Sequence, residues 1–274
     1  DGGRTSGGGK PMSFKILMAG VTHHGRIRTN NEDNLYMGGK YLALGIQDLS
    51  EILYVEKSSR PWTAAGVFDG MGGENAGETA AFTGAQTFAS CMASWEAQSM
   101  RPEDFLEHTC QAMNRAVVSH AGRFRLGQTG TTAAVLYFRD ERAWVCNVGD
   151  SSVFLLRENK MRCLTKAHTN AAFLKQQGIE GRTPALTQFI GIPEDEMTLC
   201  PHIGSGRLRH NDRFLLCSDG LTDMVREEDI ARWLYTSPTP KAAAAVLTDQ
   251  ALEKGGRDNI TVIVCHVVYE PAGK

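Results

Sequence analysis

The chain is predicted to fold as an α+β protein in which two packed, mainly antiparallel sheets are flanked by pairs of helices. Three observations support this: β-rich runs joined by short polar turns, helical periodicity confined to two pairs of segments, and a last strand apolar on both faces. Helices that occur in consecutive pairs are typical of α+β proteins, whereas alternating βαβ units are typical of parallel sheets. In this layout we expect the acidic residues to collect at one end of the sheets.

The predicted elements follow in chain order. The first half is predicted to contain strands at 14–22, 34–37, 41–46, 52–55 and 64–68, then helices beginning near Ala76 and at Pro102, a residue favoured in a first helical turn. The second half is predicted to contain hairpins at 131–148 and 152–165, a strand at 213–217, helices at 227–235 and 241–254, and a buried strand at 260–268. Residues 166–212 are predicted to contain less regular secondary structure than the rest of the chain, because Gly and Pro recur there.

Composition limits the classes of function. Of the 274 residues, 42% are hydrophobic and 22% are charged, which favours a folded core over disorder. The formal net charge is -2 and Lys and Arg form no long run, which argues against a nucleic-acid partner. No apolar run approaches the roughly 18 residues of a membrane span, so we expect no membrane partner either.

Seven cysteines are scattered singly along the chain, with no C-x-x-C pair. This pattern favours reduced thiols in a cytoplasmic protein and does not fit a zinc site or a disulfide framework. Residues 1–11 are Gly-rich and are predicted to be a flexible leader or a cloning remnant. Residues 12–270 are predicted to form a single domain.

Acidic residues stand where apolar runs meet Gly-rich turns or polar loops. They are Asp69 before Gly70, Asp219 before Gly220, Asp258 after two glycines, and the pair Glu32 and Asp33. An Asp-Gly pair alone is most often only a turn. Several carboxylates at strand ends, however, are typical of an oxygen-ligand site for Mg²⁺ or Mn²⁺.

Six segments in register resemble one known family. They are RTNNED at 28–33, GVFDGMGG at 66–73, GTT at 130–132, NVGDS at 147–151, LLCSDGLTD at 215–223 and DNITV at 258–262. They resemble the metal-dependent serine/threonine protein phosphatases of type 2C (PPM), in their bacterial form, from about residue 20 to about 268. The resemblance implies a four-layer α-β-β-α sandwich with a dinuclear Mg²⁺ or Mn²⁺ centre.

The resemblance also implies metal ligands. Asp69 would bridge two ions, and the carbonyl of Gly70 would bind one of them. Asp219 and Asp258 would ligate the other ion, and Asp33 would act near the metals, largely through coordinated waters.

Three further residues receive roles from the resemblance. Arg28 would hold the substrate phosphate, because its planar guanidinium matches phosphate oxygens. Glu32 would act near the metals, largely through coordinated waters, and Asn259 is interpreted as a residue that supports the ligands or forms a turn and does not bind the ions. Two divalent ions would activate a bridging hydroxide for attack on phosphorus, so no phosphoenzyme is required. The absence of a C-x₅-R segment agrees with this.

Some positions depart from the family pattern. Met71 stands where animal members often have His, the proposed general acid, so a metal-bound water would protonate the leaving group or it would leave unassisted. No acid lies shortly before Gly130, so the resemblance supports two ions and does not extend to a third. Residues 166–200 are predicted to form a shortened flap region. Asp150 is interpreted as structural and Asp223 as a helix cap.

The expected function is hydrolysis of phosphoserine and phosphothreonine in a protein that a Ser/Thr kinase has phosphorylated, by a monomer. A phosphoprotein-binding module with little turnover is one alternative. A small-molecule phosphomonoesterase on the same fold is another.

Overall fold

The computed structural model describes residues 13–73, 76–179 and 181–270. The predicted leader, and the Glu74-Asn75 end of the Gly-rich turn, lie outside them. The strands, in chain order, are β1 Ser13–His23, β2 Asp33–Met37, β3 Lys40–Tyr41, β4 Leu53–Ser58, β5 Thr63–Met71, β6 Gly130–Thr131, β7 Ala133–Arg139, β8 Arg142–Val148, β9 Ser152–Arg157, β10 Lys160–Cys163, β11 His202–Arg207, β12 Arg213–Cys217 and β13 Ile260–Glu270.

Four long or medium helices supply the predicted pairs, and three short ones lie in connections. They are α1 Ala76–Met92, α2 Glu96–Ser99, α3 Pro102–Phe124, α4 Ala171–Gln176, α5 Asp219–Thr222, α6 Glu227–Thr236 and α7 Pro240–Glu253. Pro102 occupies the first turn of α3, where its missing N–H leaves no helical bond unmade. Thr239 caps α7 by accepting a hydrogen bond from the Ala242 amide.

The strands form two antiparallel sheets. One has the order β10-β9-β12-β13-β1-β4 and the other β11-β8-β7-β5-β2-β3, with β6 paired to β5. One core cluster lies between the sheets and includes Ile16, Leu35 and Leu216. A second fills the space between α1, α3 and one sheet, and a third that between α6, α7 and the other. Three cores between four layers confirm the predicted sandwich.

The predicted strand at 41–46 is wrong beyond Tyr41. The side chain of Asn34 bonds to both the amide and the carbonyl of Leu42, which removes those groups from strand pairing. Gly45 then adopts a positive φ of 85°, and Leu44 is 49% exposed. An apolar stretch whose backbone groups are already occupied cannot extend the sheet.

The strand β11 was not predicted, because it lies within 166–212. Its sequence, His202–Arg207, contains two glycines and no apolar alternation. It nevertheless pairs along its length with β8, from His202 opposite Asn147 to Arg207 opposite Arg142. Pairing to an existing strand, and not local propensity, therefore decides its conformation.

Candidate metal centre

Asp33 and Asp69 face each other on neighbouring strands. Asp33 begins β2, Asp69 lies near the end of β5, and the two are directly paired in register. Asp33 is 4% exposed and Asp69 is half-buried. The Asp69 amide donates to Thr132 Oγ1 at 3.0 Å, and its carbonyl accepts from the Thr132 amide at 2.8 Å. Asp69 is thus held at the sheet end by the GTT segment.

Ser218 joins this pair to the other sheet. Its hydroxyl donates to Asp33 Oδ2 at 2.8 Å and accepts from the Thr261 amide at 3.0 Å. Ser218 precedes Asp219, and Thr261 lies three residues after Asp258. The two sheets therefore meet at the point where the four predicted aspartates lie.

Asp219 begins α5 directly after β12, and Asp258 lies just before β13. The two segments touch at Gly220, where a Cβ would lie 1.9 Å from the carbonyl oxygen of Asn259. Only glycine allows this approach. The sequence signal for Asp219, an acid before glycine at the end of an apolar run, thus reflects close packing of two turns.

Three carboxylates of this cluster, Asp33, Asp69 and Asp219, resist ionisation. Burial raises the pKa of Asp33 to about 6, although hydrogen bonds from Thr261 and Ser218 oppose the shift. Burial, followed by the nearby charge of Asp150, raises the pKa of Asp219 to about 7. Burial and repulsion from Asp33 and Asp219 raise the pKa of Asp69 well above its ordinary range. Several buried carboxylates that repel one another need cations to hold them ionised.

The backbones of Gly70 and Gly77 pack closely against each other beside Asp69. A Cβ on Gly70 would lie 2.1 Å from the carbonyl oxygen of Gly77 and 2.5 Å from that of Glu32. The Gly70 amide donates to the Glu32 carbonyl at 3.1 Å. A Cβ on Gly77 would lie 2.8 Å from the Glu32 carboxylate, which therefore lies against the start of α1. Burial raises the pKa of Glu32.

Asn259, in the turn before β13, binds the connection between β1 and β2 at three points. Its Oδ1 accepts from the Glu32 amide at 2.8 Å. Its Nδ2 donates to the carbonyls of His24 and Asn30 at 2.9 and 2.8 Å. Asn259 is buried, and all these bonds go to backbone groups, so its side chain positions the loop that carries Glu32 and Asp33.

Arg28 lies at the rim of the cluster. Its Nη2 donates to Asp258 Oδ2 at 2.6 Å, and 52% of its side chain is exposed. The hydrogen bond to Asp258 raises the pKa of Arg28, with smaller contributions from the charges of Glu32 and Asp69. Arg28, the basic residue predicted for the site, therefore lies beside the acids. Its contact with Asp258 leaves further guanidinium N–H donors for a ligand.

Two acids of the cluster were assigned other roles from sequence. Asp150 follows β8, and burial and the charge of Asp223 raise its pKa. Asp223 is the cap residue at the C-terminal end of α5, so the predicted helix cap is confirmed. Both raise the pKa of Asp219. No local signal distinguishes these acids from ordinary turn residues.

The residues present fit hard divalent cations. Asp33 Oδ1 is buried and has no hydrogen-bond partner among the described residues. An unpartnered carboxylate oxygen among other carboxylates is the donor set that Mg²⁺ and Mn²⁺ prefer. In the described part of the chain, however, Asp69, Asp219 and Asp258 do not bring three oxygens within 4.8 Å of one another; the trio that meets this condition is His23, His24 and Asp48.

Comparison with known families places this chain in one class of protein. A family model described as protein phosphatase 2C matches residues 46–254, more than half of the chain. The chain belongs to the protein phosphatase 2C family. Membership confirms the predicted family and the prediction of a protein phosphatase.

Particular relatives extend the match. The serine/threonine phosphatase Stp of Listeria innocua is 30% identical over 255 residues, which cover 89% of this chain and 92% of that one. The phosphatase PstP of Mycobacterium tuberculosis is 30% identical over 264 residues, covering 94% of this chain but 46% of PstP. A crystal structure of the PstP catalytic domain with two manganese ions matches with a TM-score of 0.70 at 29% identity, covering 93% of this chain and 99% of that one.

Each helix in residues 13–73, 76–179 and 181–270 is too short or too polar to cross a lipid bilayer.

Proposed function

We propose that this chain hydrolyses phosphoserine and phosphothreonine in proteins with two Mn²⁺ or Mg²⁺ ions, by direct attack of water and without a phosphoenzyme. The observation that carries the proposal is the gathering of Asp33, Asp69, Asp219 and Asp258 at one end of the sandwich, with a buried oxygen of Asp33 unpartnered among the described residues. The relatives named as serine/threonine phosphatases and the manganese-bound PstP domain support it.

The ligand roles in this proposal follow from position. Asp69 and the Gly70 carbonyl would hold one ion, while Asp69, Asp219 and Asp258 would hold the other. Asp33 would act beside them, largely through bound waters. When bound, two such ions supply charge neutralisation and a water acidified enough to attack phosphorus at neutral pH.

The chain's own residues would orient the substrate and the ligands. Arg28 has five N–H donors, of which one contacts Asp258, so others can bind phosphate oxygens. Its exposure allows access to a phosphate on a protein surface. Asn259 and Glu32 would keep the 28–33 loop against the centre through their backbone contacts.

Met71 lies at the end of β5, where a thioether cannot donate a proton. We propose that the leaving group takes its proton from water. Without a side-chain acid, negative charge builds on the leaving oxygen before that proton arrives. Aryl phosphates, whose leaving groups are weaker bases, are therefore expected to react faster than phosphothreonine peptides.

We further propose that residues 12–270 act as one domain, with 166–200 as a shortened flap region. The substrate would be the product of a Ser/Thr kinase, and the chain would act as a monomer. A cytoplasmic location is proposed because all seven cysteines are free thiols, including the exposed Cys163 and Cys200.

The deciding experiment compares wild type, Asp69→Asn and Asp219→Asn on a phosphothreonine peptide and on p-nitrophenyl phosphate, with Mn²⁺, Mg²⁺ or EDTA. We expect turnover to need metal and to fall roughly 100-fold or more in each variant. Asp104→Asn is the matched control, because Asp104 is an exposed acid paired with Arg101 on α3. An acid-quenched reaction with radiolabelled phosphopeptide should leave no label on the protein.

Other outcomes would select the alternatives. A folded protein that binds the phosphopeptide but releases no phosphate with any metal would be a binding module. Hydrolysis of p-nitrophenyl phosphate without hydrolysis of any phosphopeptide would indicate a small-molecule phosphomonoesterase. Unchanged activity in Asp219→Asn would contradict the assigned centre.

A further inference from the structure

A second group of metal-ligating side chains lies outside the acidic centre, where β1 ends. His23 is the last residue of β1, His24 follows it, and Asp48 belongs to the connection between β3 and β4. One ligand atom of each lies within 4.8 Å of the other two, and no other such trio of His, Cys, Asp or Glu occurs in residues 13–73, 76–179 and 181–270. None of the six family segments includes these residues.

Both histidine rings direct Nδ1 toward one carboxylate oxygen. His24 Nδ1 lies 2.8 Å from Asp48 Oδ1, and His23 Nδ1 lies 3.5 Å from the same oxygen. The rings are stacked with centroids 4.9 Å apart and planes 16° apart. The His24 amide also donates to Asp48 Oδ1 at 2.8 Å, which fixes the carboxylate relative to the strand end. Two imidazole nitrogens and one carboxylate therefore converge.

The hydrogen bonds indicate what an ion would replace. A carboxylate oxygen can only accept, so His24 Nδ1 donates its proton to Asp48. The Gly25 amide donates to His23 Nδ1 at 2.8 Å, so that nitrogen presents a lone pair. A cation at this point would take the place of the His24 proton and of the Gly25 amide.

Solvent can complete the coordination. The side chains of His23, His24 and Asp48 are 32%, 34% and 39% exposed, so the group is open on one side. Three protein ligands with one open position are typical of zinc sites that also bind water. Imidazole suits zinc, copper, nickel and iron, whereas Mg²⁺ prefers oxygen ligands in an octahedron.

We propose that His23, His24 and Asp48 bind one transition metal ion that favours imidazole ligands, such as Zn²⁺, at a site separate from the acidic centre. The ion would join the end of β1 to the connection after β3. The loop that carries Arg28 leaves from this strand end, and Asn259 binds the His24 carbonyl. An ion here would therefore fix the start of that loop.

The test is titration of Zn²⁺ into the protein in excess Mg²⁺, followed by calorimetry and by NMR of the imidazole rings. We expect one Zn²⁺ per chain, with shifts confined to the rings of His23 and His24. His23→Gln, His24→Gln and Asp48→Asn should each weaken binding about 10-fold or more. His108→Gln is the matched control, because His108 is exposed on α3, and it should bind like wild type.

Zinc binding that leaves both ring signals unchanged in wild type would overturn the proposal, since the ion would then be held elsewhere. The same conclusion would follow from the absence of saturable binding, or from folded variants that bind as tightly as wild type. The ring measurement needs no variant, so it decides the question even if a substitution impairs folding. Phosphatase activity is not a readout, so failure here leaves the proposed function untouched.

Discussion

Arg28 donates a hydrogen bond to Asp258 across 2.6 Å and so joins the loop after β1 to the turn before β13. The two residues are 230 positions apart in the chain. The contact brings the residue proposed to bind phosphate against a proposed metal ligand. Under the proposed function, this ion pair would couple substrate binding to the position of a metal ligand.

Arg28→Lys is expected to raise KM for a phosphothreonine peptide on the order of 10-fold, because lysine keeps the charge but loses the planar pair of donors. Steady-state kinetics with Mn²⁺ present measures this. Arg101→Lys is the matched control, since the exposed Arg101, just before α3, also pairs with an aspartate, Asp104, at 2.7 Å. Equal KM values for Arg28→Lys and wild type would contradict a role in phosphate binding.

Gly70→Ala is expected to lower the free energy of unfolding by roughly 2 kcal/mol and to weaken metal-dependent turnover. The new Cβ would lie 2.1 Å from the Gly77 carbonyl oxygen, so strand and helix would have to separate. Urea denaturation measures the loss. Gly122→Ala, in α3 with no atom within 4 Å of its Cβ, should leave stability unchanged or raise it. A Gly70→Ala variant as stable as wild type would show that the strand and the helix move apart at Gly70 and Gly77 without cost.

Asn259→Asp is expected to lower stability by about 2 kcal/mol and to reduce turnover. The amide Nδ2 donates to the carbonyls of His24 and Asn30, and a carboxylate would replace that donor with an acceptor. Thermal unfolding and kcat/KM measure the two effects. Asn159→Asp, in the exposed turn before β10, provides the comparison. If both variants behaved alike, Asn259 would not position the loop.

His266 is expected to make the protein sensitive to acid. It is 9% exposed on β13, its Nε2 has no partner within the described residues, and burial together with Arg213 lowers its pKa to about 4. The unfolded chain has an ordinary histidine pKa near 6.5. The stability contributed by the neutral ring is therefore full above about pH 6.5 and is lost as pH falls toward 4.

The measurement for His266 is the free energy of unfolding at pH 7 and pH 4.5 for wild type and His266→Gln. Wild type should lose about 2 kcal/mol more than the variant over this interval. His108→Gln, on the exposed face of α3, should lose as much as wild type. Parallel pH profiles for wild type and His266→Gln would refute the assignment.

Local patterns predicted most of the elements and the acidic residues of the centre. Asp69 and Asp219 were recognisable because each follows an apolar run and precedes a glycine. At both glycines a Cβ would lie within 2.5 Å of a backbone oxygen, so only glycine fits there. The end of β3 and the whole of β11 were not predictable. In those places the side chain of Asn34 and the pairing with β8 override what the local sequence favours.

The sequence by itself determined the family, the layer order and the residue types available for hard cations, because these depend on periodicity and on short motifs. Only the tertiary structure decided which residues meet. Asp33 and Asp69 share a register, Arg28 reaches Asp258, and His23 and His24 face Asp48. Such pairings arise from sheet packing and loop closure, which link residues far apart in the chain, and no local sequence pattern encodes them.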